Sequence, residues 1–261
     1  VAILEAGGYQ APGGQQIELA EDLAKAVAGT VGYPPDKSPP APGAGTRITR
    51  VDVVNTTTLN AAHQLVARGL RPAALNFASA LTPGGGFLGG AIAQEESLCW
   101  ASGLFACLKD DAMYAHHQDG DDWLFSDYVV YSPDVPVFRS DVGALLAGTW
   151  HCSFLTSPAP MTSHFLAEHP EGTKELENAF RRRIVKVLGV AAHHGHTEVV
   201  LGAWGCGAFG GDAEMVAPLF REALEGPFRG VFAKVVFAVL DSTRKKWTLG
   251  PFAAEFGASA R

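Results

Sequence analysis

The sequence predicts an α/β protein: a three-layer body in which a mixed, largely parallel sheet lies between helices, preceded by an N-terminal extension. Three observations predict it. Short apolar runs of strand length alternate with longer segments whose apolar residues recur every three or four positions, the two periods of strand and amphipathic helix. Several of the short runs are apolar without alternation, as strands covered on both faces must be. Two of them lead into glycine-rich loops followed by helical patterns, at residues 83–90 and 205–210. A chain of 261 residues is long enough for one substantial core.

Residues 1–46 read as the extension. An apolar start and a Gly/Pro/Gln stretch precede a helical pattern with Leu19, Leu23, Ala26 and Val27 on one face. It ends in Pro34-Pro35 and Pro39-Pro40-Ala41-Pro42-Gly43, which neither a helix nor a central strand tolerates, and is expected to close over the body as a loop. Residues 47–261 form the body. It begins with a β-branched strand at 48–55 and a helix at 57–68 with Leu59, Ala62, Leu65 and Val66 inward. A strand at 73–77 feeds the first glycine loop, and a helix follows over 91–108 with Leu98, Ala101, Leu104, Phe105 and Leu108 at helical spacing. Shorter strands at 128–131 and 151–156 are separated by loops rich in Pro and Asp. A long helix at 173–193, a strand at 198–202, the second glycine loop, a helix at 213–224 and a strand at 231–240 complete the series. No internal repeat is present.

Composition excludes several classes. The net charge of −7 leaves no basic field that could hold a polyanion, so sequence-specific nucleic-acid binding is not expected and an anionic ligand must be gripped locally, by oriented peptide N–H groups. Cys99, Cys107, Cys152 and Cys206 are too sparse and too irregular for a disulfide framework; Cys99 and Cys107 are expected on one face of a single helix as packed thiols. His193 and His194 are read as complementing the negative end of the long helix, and no zinc spacing accompanies the nine histidines, so no metal and no cofactor is expected. Neither a membrane span nor a secretory signal is visible, which makes the cytoplasm the default location. The serine-hydrolase elbow and the P-loop are missing.

The chemistry concentrates at the first glycine loop. Gly84, Gly85 and Gly86 let a ligand approach the backbone, and the Gln94-Glu95-Glu96 run at the following helix start sets an amide and two adjacent carboxylates beside it. Side chains one residue apart on a helix diverge by roughly 100°, so the two acids have different jobs. Anion-binding backbone next to acid/base carboxylates points to hydrolysis of a phosphorylated sugar. A helix start lowers a carboxylate's pKa, whereas desolvation and neighbouring negative charge raise it, and a general acid at neutral pH needs the second. In the second loop, Gly205-Cys206-Gly207-Ala208-Phe209-Gly210 matches the dinucleotide fingerprint G-x-G-x-x-G. A Rossmann unit requires an acid about 20 residues on and several more strands; the first strand-end acid is Asp241, and no room remains for the sheet. The better reading is that the N–H groups of Gly207, Ala208 and Phe209, at a helix start, receive a diphosphate.

The glycine loop with Gln94-Glu95-Glu96, together with Leu98-Cys99, Tyr131-Ser132-Pro133-Asp134-Val135-Pro136-Val137-Phe138-Arg139, Ser157-Pro158-Ala159-Pro160, the second glycine loop and Val235-Val236-Phe237-Ala238-Val239-Leu240-Asp241, resembles the compact bacterial-type poly(ADP-ribose) glycohydrolases. The resemblance implies a macrodomain, the ADP-ribose-binding α/β fold, with Asn76-Phe77-Ala78-Ser79 standing where macrodomains carry Asn-Ala-Ala-Asn; Ser79 replaces the second Asn. It implies a glycosidase of the DNA damage response that needs no cofactor. It also implies Glu96 as acid/base, Glu95 holding a ribose hydroxyl, Phe209 covering the distal ribose, and substrate contacts from Asn76, Ala78, Gly84 to Gly86, Gln94 and Gly205 to Gly210. The resemblance to the compact branch also implies attack from chain ends, with poly(ADP-ribose), ADP-ribose and ADP-ribosylated proteins as partners; a monomer is expected. A non-catalytic ADP-ribose reader and a mono-ADP-ribosyl hydrolase are the alternatives. The stretches around 157–160 and 236–241 are expected near the adenine.

Overall fold

The computed structural model describes residues 1–43, 45–118, 120 and 122–257, so the expected end of the body at residue 261 lies outside the described residues. In chain order the elements are α1 (Ala2–Ala6), β1 (Gly8–Gln10), β2 (Gln16–Glu18), α2 (Ala20–Ala28), β3 (Val31–Tyr33), β4 (Arg50–Val54), α3 (Thr58–Val66), β5 (Ala73–Phe77), α4 (Gln94–Ala101), α5 (Leu104–Leu108) and α6 (Ala112–Gln118). The series continues with β6 (Val129–Arg139), β7 (Leu145–Ser157), α7 (Thr162–Glu168), α8 (Thr173–His193), β8 (Glu198–Leu201), α9 (Ala213–Glu225), β9 (Lys234–Ala238) and α10 (Leu249–Glu255).

Seven strands form one sheet in the order β3-β6-β7-β5-β8-β9-β4. The run β7-β5-β8-β9-β4 is parallel, while β6 is antiparallel to both β3 and β7. The period of two along each strand divides the core. Ala73 and Leu75 of β5, Val199 and Leu201 of β8, and Val235 and Phe237 of β9 pack with α8, α9 and α10, whereas Ala74, Val200 and Val236 pack with α3 to α6. The sheet therefore lies between two helical layers, as expected. Among the described residues no helix is long and apolar enough to cross a membrane.

Five expectations change. The helix over 91–108 starts only at Gln94 and is broken after Ala101. Ser102 is extended, bridges to Val137 and returns its hydroxyl to the Leu98 carbonyl at 2.7 Å, and the Gly103 N–H donates to the Pro136 carbonyl at 2.9 Å. Cys99 and Cys107 thus lie on different helices, both buried as free thiols.

The strands at 128–131 and 151–156 are parts of a long hairpin of 11 and 13 residues. Pro133 is tolerated because it falls in a register shift between Ser132 and Val135, where Asp134 takes φ 41° and its N–H goes to the Ser153 hydroxyl. Residues of the N-terminal extension also enter the sheet, since Val31–Tyr33 pairs with Val129–Tyr131 as its edge strand. The β1/β2 hairpin packs Tyr9, Ala11 and Leu19 on Phe138, away from the main core.

His194 does not act as a helix-end cation. Its ring stacks on Tyr131 at 3.6 Å, and burial, together with His193 and His196, lowers its pKa to about 4.

Candidate active site

A cavity of about 450 Å³ opens at the carboxyl ends of β5, β8 and β9, the edge of a parallel sheet where ligands collect because successive connections leave toward opposite sides. Thr56 to Leu59 at the start of α3, the first turn of α4 and Asp141 line it together with Phe77, Ala78, Ser79, Ala159, Ala203 to Phe209 and Ala238 to Leu240.

Gln94 sets the position of the α4 start. Its side-chain oxygen accepts the Phe77 N–H at 2.8 Å, and its nitrogen donates to the Leu75 carbonyl at 2.8 Å and to the Thr58 hydroxyl at 3.0 Å. The amide reaches the cavity wall, but both of its N–H donors and one acceptor site of its oxygen brace α4 against β5 and α3.

Glu95 is almost fully buried, with 3% of its surface exposed. Its Oε2 accepts the Ser79 N–H at 2.7 Å and its Oε1 the Asn76 amide at 3.4 Å. Burial pushes its pKa up to about 8; the Ser79 and Asn76 donors pull the other way and Glu96 adds to the rise. For this acid, desolvation outweighs the helix start. Asn76 is itself fully buried, and its Oδ1 has no partner among the described residues.

Glu96 is half-buried and lines the cavity. Its Oε1 accepts the Gly86 N–H at 2.9 Å. Gly84 and Gly85 have φ 70° and 58°, and a Cβ on Gly85 would lie 2.3 Å from Glu96 Oε1 and 3.1 Å from Glu95 Oε2. The first glycine loop therefore wraps the protein's own carboxylates. Gly84, Gly85 and Gly86 do not line the cavity, nor do Asn76 and Gly210.

The second loop is different. Its turn is closed by Gly210 N–H to Gly207 O and Gly211 N–H to Gly205 O, at 2.9 and 2.8 Å, while the N–H groups of Gly207, Ala208 and Phe209 donate to no acceptor among the described residues. All three residues line the cavity. The start of α9 is not the anion receiver, because Asp212 already caps it by accepting the Glu214 N–H at 2.9 Å. Phe209 leans on the core on one side and lines the cavity on the other. Asp241, the strand-end acid, is committed elsewhere: its carboxylate takes the N–H groups of Thr243, Thr248 and Leu249 and the Thr243 hydroxyl, which hold it well below the usual carboxylate range. It fixes the turn into α10 and has no oxygen left for a ribose.

Other determinants gave no local signal. Thr56, Thr57, Asp141 and Thr248 come from three separate connections and meet only in the fold; the Thr57 hydroxyl donates to Asp141 at 2.6 Å. Arg183, part of a basic run, is fully buried and ties the Pro158 and Leu124 carbonyls at 2.7 and 2.6 Å, with Asp127 on its Nε. That clamp fixes the loop that brings Ala159 to the cavity.

A model of the microbial-type poly(ADP-ribose) glycohydrolase catalytic domain matches residues 1–140, more than half of the sequence. The chain belongs to this family. The crystal structure of poly(ADP-ribose) glycohydrolase from Thermomonospora curvata bound to the inhibitor ADP-HPD is 45% identical, with a TM-score of 0.89 over 97% of this chain and 95% of that one. The Deinococcus radiodurans glycohydrolase in complex with ADP-ribose is 42% identical, with a TM-score of 0.84 over 89% of this chain and 96% of that one. No curated protein matches the sequence. The three-layer body is thus the macrodomain-like fold of the poly(ADP-ribose) glycohydrolases, and the chain is a glycosidase of that family.

Proposed function

We propose that this glycohydrolase cuts the ribose–ribose O-glycosidic bond of poly(ADP-ribose) with Glu96 as the single acid/base and Glu95 as a neutral hydrogen-bonding partner. The observation that carries the reading is that one cavity is lined both by this carboxylate pair and by three residues whose peptide N–H groups have no acceptor among the described residues. The diphosphate of the terminal unit takes the N–H groups of Gly207, Ala208 and Phe209, and Phe209 covers the distal ribose. Glu96 donates its proton to the 2′-oxygen of the leaving nucleoside as the bond to the anomeric carbon breaks through an oxocarbenium-like state. The resulting carboxylate accepts a proton from the water that attacks that carbon, and Glu96 is restored. Glu95, neutral up to about pH 8, offers an O–H to a ribose hydroxyl without placing a second charge beside Glu96.

Cutting from chain ends, with release of ADP-ribose, is the expected mode. Incubation with poly(ADP-ribose) and chromatography of the products tests it: free ADP-ribose must appear from the outset, and early release of oligomers would refute the end-wise mode. A reader that cuts nothing would release neither. A mono-ADP-ribosylated protein in a parallel reaction is expected to keep its last unit.

A further inference from the structure

The exposed face of α4 continues past the cavity. Glu96 and Ser97 line the cavity, and Trp100, four residues after Glu96, stands on the same stripe of the helix. Trp100 leaves 47% of its surface open to solvent, yet its ring is held. The Arg139 guanidinium lies 5.2 Å from the ring centroid and donates to the Gly143 carbonyl at 3.0 Å. Gly143, at φ 85°, brings the hairpin tip so near that a Cβ there would lie 2.0 Å from the ring. The same tip carries Asp141, a cavity residue. An aromatic face and a cation are therefore fixed at the cavity's edge, one helical turn beyond Glu96.

The chemistry of the bond says what should lie there. A group that protonates the leaving 2′-oxygen touches the ribose carbon next to the one that bears the adenine. Side chains four apart on a helix stand about 5–6 Å from one another, the scale of the offset between that oxygen and its purine. We propose that Trp100, backed by Arg139, is a leaving-side subsite that stacks the adenine of the penultimate ADP-ribose unit. The proposal rests on Glu96 being the acid/base. Stacking on an aromatic ring recognises a base without reading its edge, and the guanidinium adds positive charge for the unit's diphosphate in a chain that is otherwise acidic. The subsite favours a nucleoside leaving group over a protein side chain, and so favours polymer over the last, protein-linked unit.

The test uses the Glu96→Gln protein, which leaves polymer uncut, and compares ADP-ribose with its ribose–ribose-linked dimer by calorimetry. The dimer is expected to bind about 10-fold more tightly than the monomer. Adding Trp100→Ala should erase that advantage and leave ADP-ribose affinity unchanged, and Trp100→Phe should restore most of it. In the cutting enzyme, Trp100→Ala should raise KM for polymer about 10-fold with little change in kcat. Unchanged dimer affinity in Trp100→Ala would overturn the subsite, and so would a parallel loss of ADP-ribose affinity, which marks a structural role. The parent enzyme's release of ADP-ribose is measured alongside; its failure would strike the glycohydrolase mechanism rather than the subsite.

Discussion

The two glycine loops differ in what their peptide donors face. In the first, the Gly86 N–H is already on Glu96, and the Cβ-free space of Gly85 is filled by the two carboxylates. In the second, the N–H groups of Gly207, Ala208 and Phe209 meet no acceptor among the described residues, and all three residues border the cavity. Glycine serves the first loop by letting side chains approach backbone and, in the proposed function, the second by letting a ligand do so. In the proposed mechanism the first loop aims the acid/base and the second receives the diphosphate. Perturbing the first should therefore lower turnover, and perturbing the second should lower affinity.

The largest expected effect breaks the comparison at its centre. Glu96→Gln removes the proton that the leaving oxygen needs, and ADP-ribose release should fall by about 10³-fold or more while ADP-ribose affinity stays within a few-fold. A variant that still turns over would remove Glu96 from its role. Next comes Gly85→Ala, whose methyl group meets Glu96 and must hold a left-handed backbone at φ 58°. Displacing the acid/base by even an ångström is expected to lower kcat about 100-fold, with ADP-ribose binding by calorimetry nearly intact.

Gly210→Ala is the counterpart in the second loop, at φ 73° with Ser163 Cβ 2.9 Å from the new methyl group. The strain, about 1–2 kcal/mol, should weaken ADP-ribose binding roughly 10-fold and leave kcat largely unchanged. If both glycine variants altered the same kinetic constant, the division of labour would be wrong.

The smallest effect concerns stability. Glu95 in the folded chain has its pKa raised to about 8 by burial, whereas unfolded it ionises near the ordinary glutamate value of 4.5. Between these values the native state binds more protons, so its contribution is complete below pH 4.5 and declines as pH rises toward 8. Glu95→Gln should remove that decline, and urea midpoints of the variant should gain on the parent's between pH 5 and 8. The parent-to-variant difference cancels the buried histidines, whose lowered pKa values act in the opposite sense. Parallel pH profiles would show that Glu95 is ionised in the folded protein.

Much of the body could be read from sequence where the determinants are local. The strand Ala73–Phe77 and the helix Thr173–His193 have the expected bounds, because an apolar run before glycines and an uninterrupted helical stripe admit few alternatives. The hairpin β6/β7 was less legible: Pro133 and Pro136 read as loop, and only pairing across the sheet shows that a bulge absorbs one of them. The broken helix was missed because Leu104, Phe105 and Leu108 keep a helical spacing across Gly103, whose N–H is claimed by Pro136 from another strand.

The sequence alone determined that carboxylates and glycines stand together, since Gly84 to Gly86 and Gln94 to Glu96 are close along the chain and their spacing needs no partner. Tertiary structure decided the rest: that the first loop's amide grips Glu96, that burial holds Glu95 neutral, and that Thr57, Asp141, Leu240 and Thr248 share one cavity wall. The reason is physical. Conformational freedom belongs to a residue and its neighbours, whereas desolvation and hydrogen-bond commitment depend on what the folded chain brings from elsewhere.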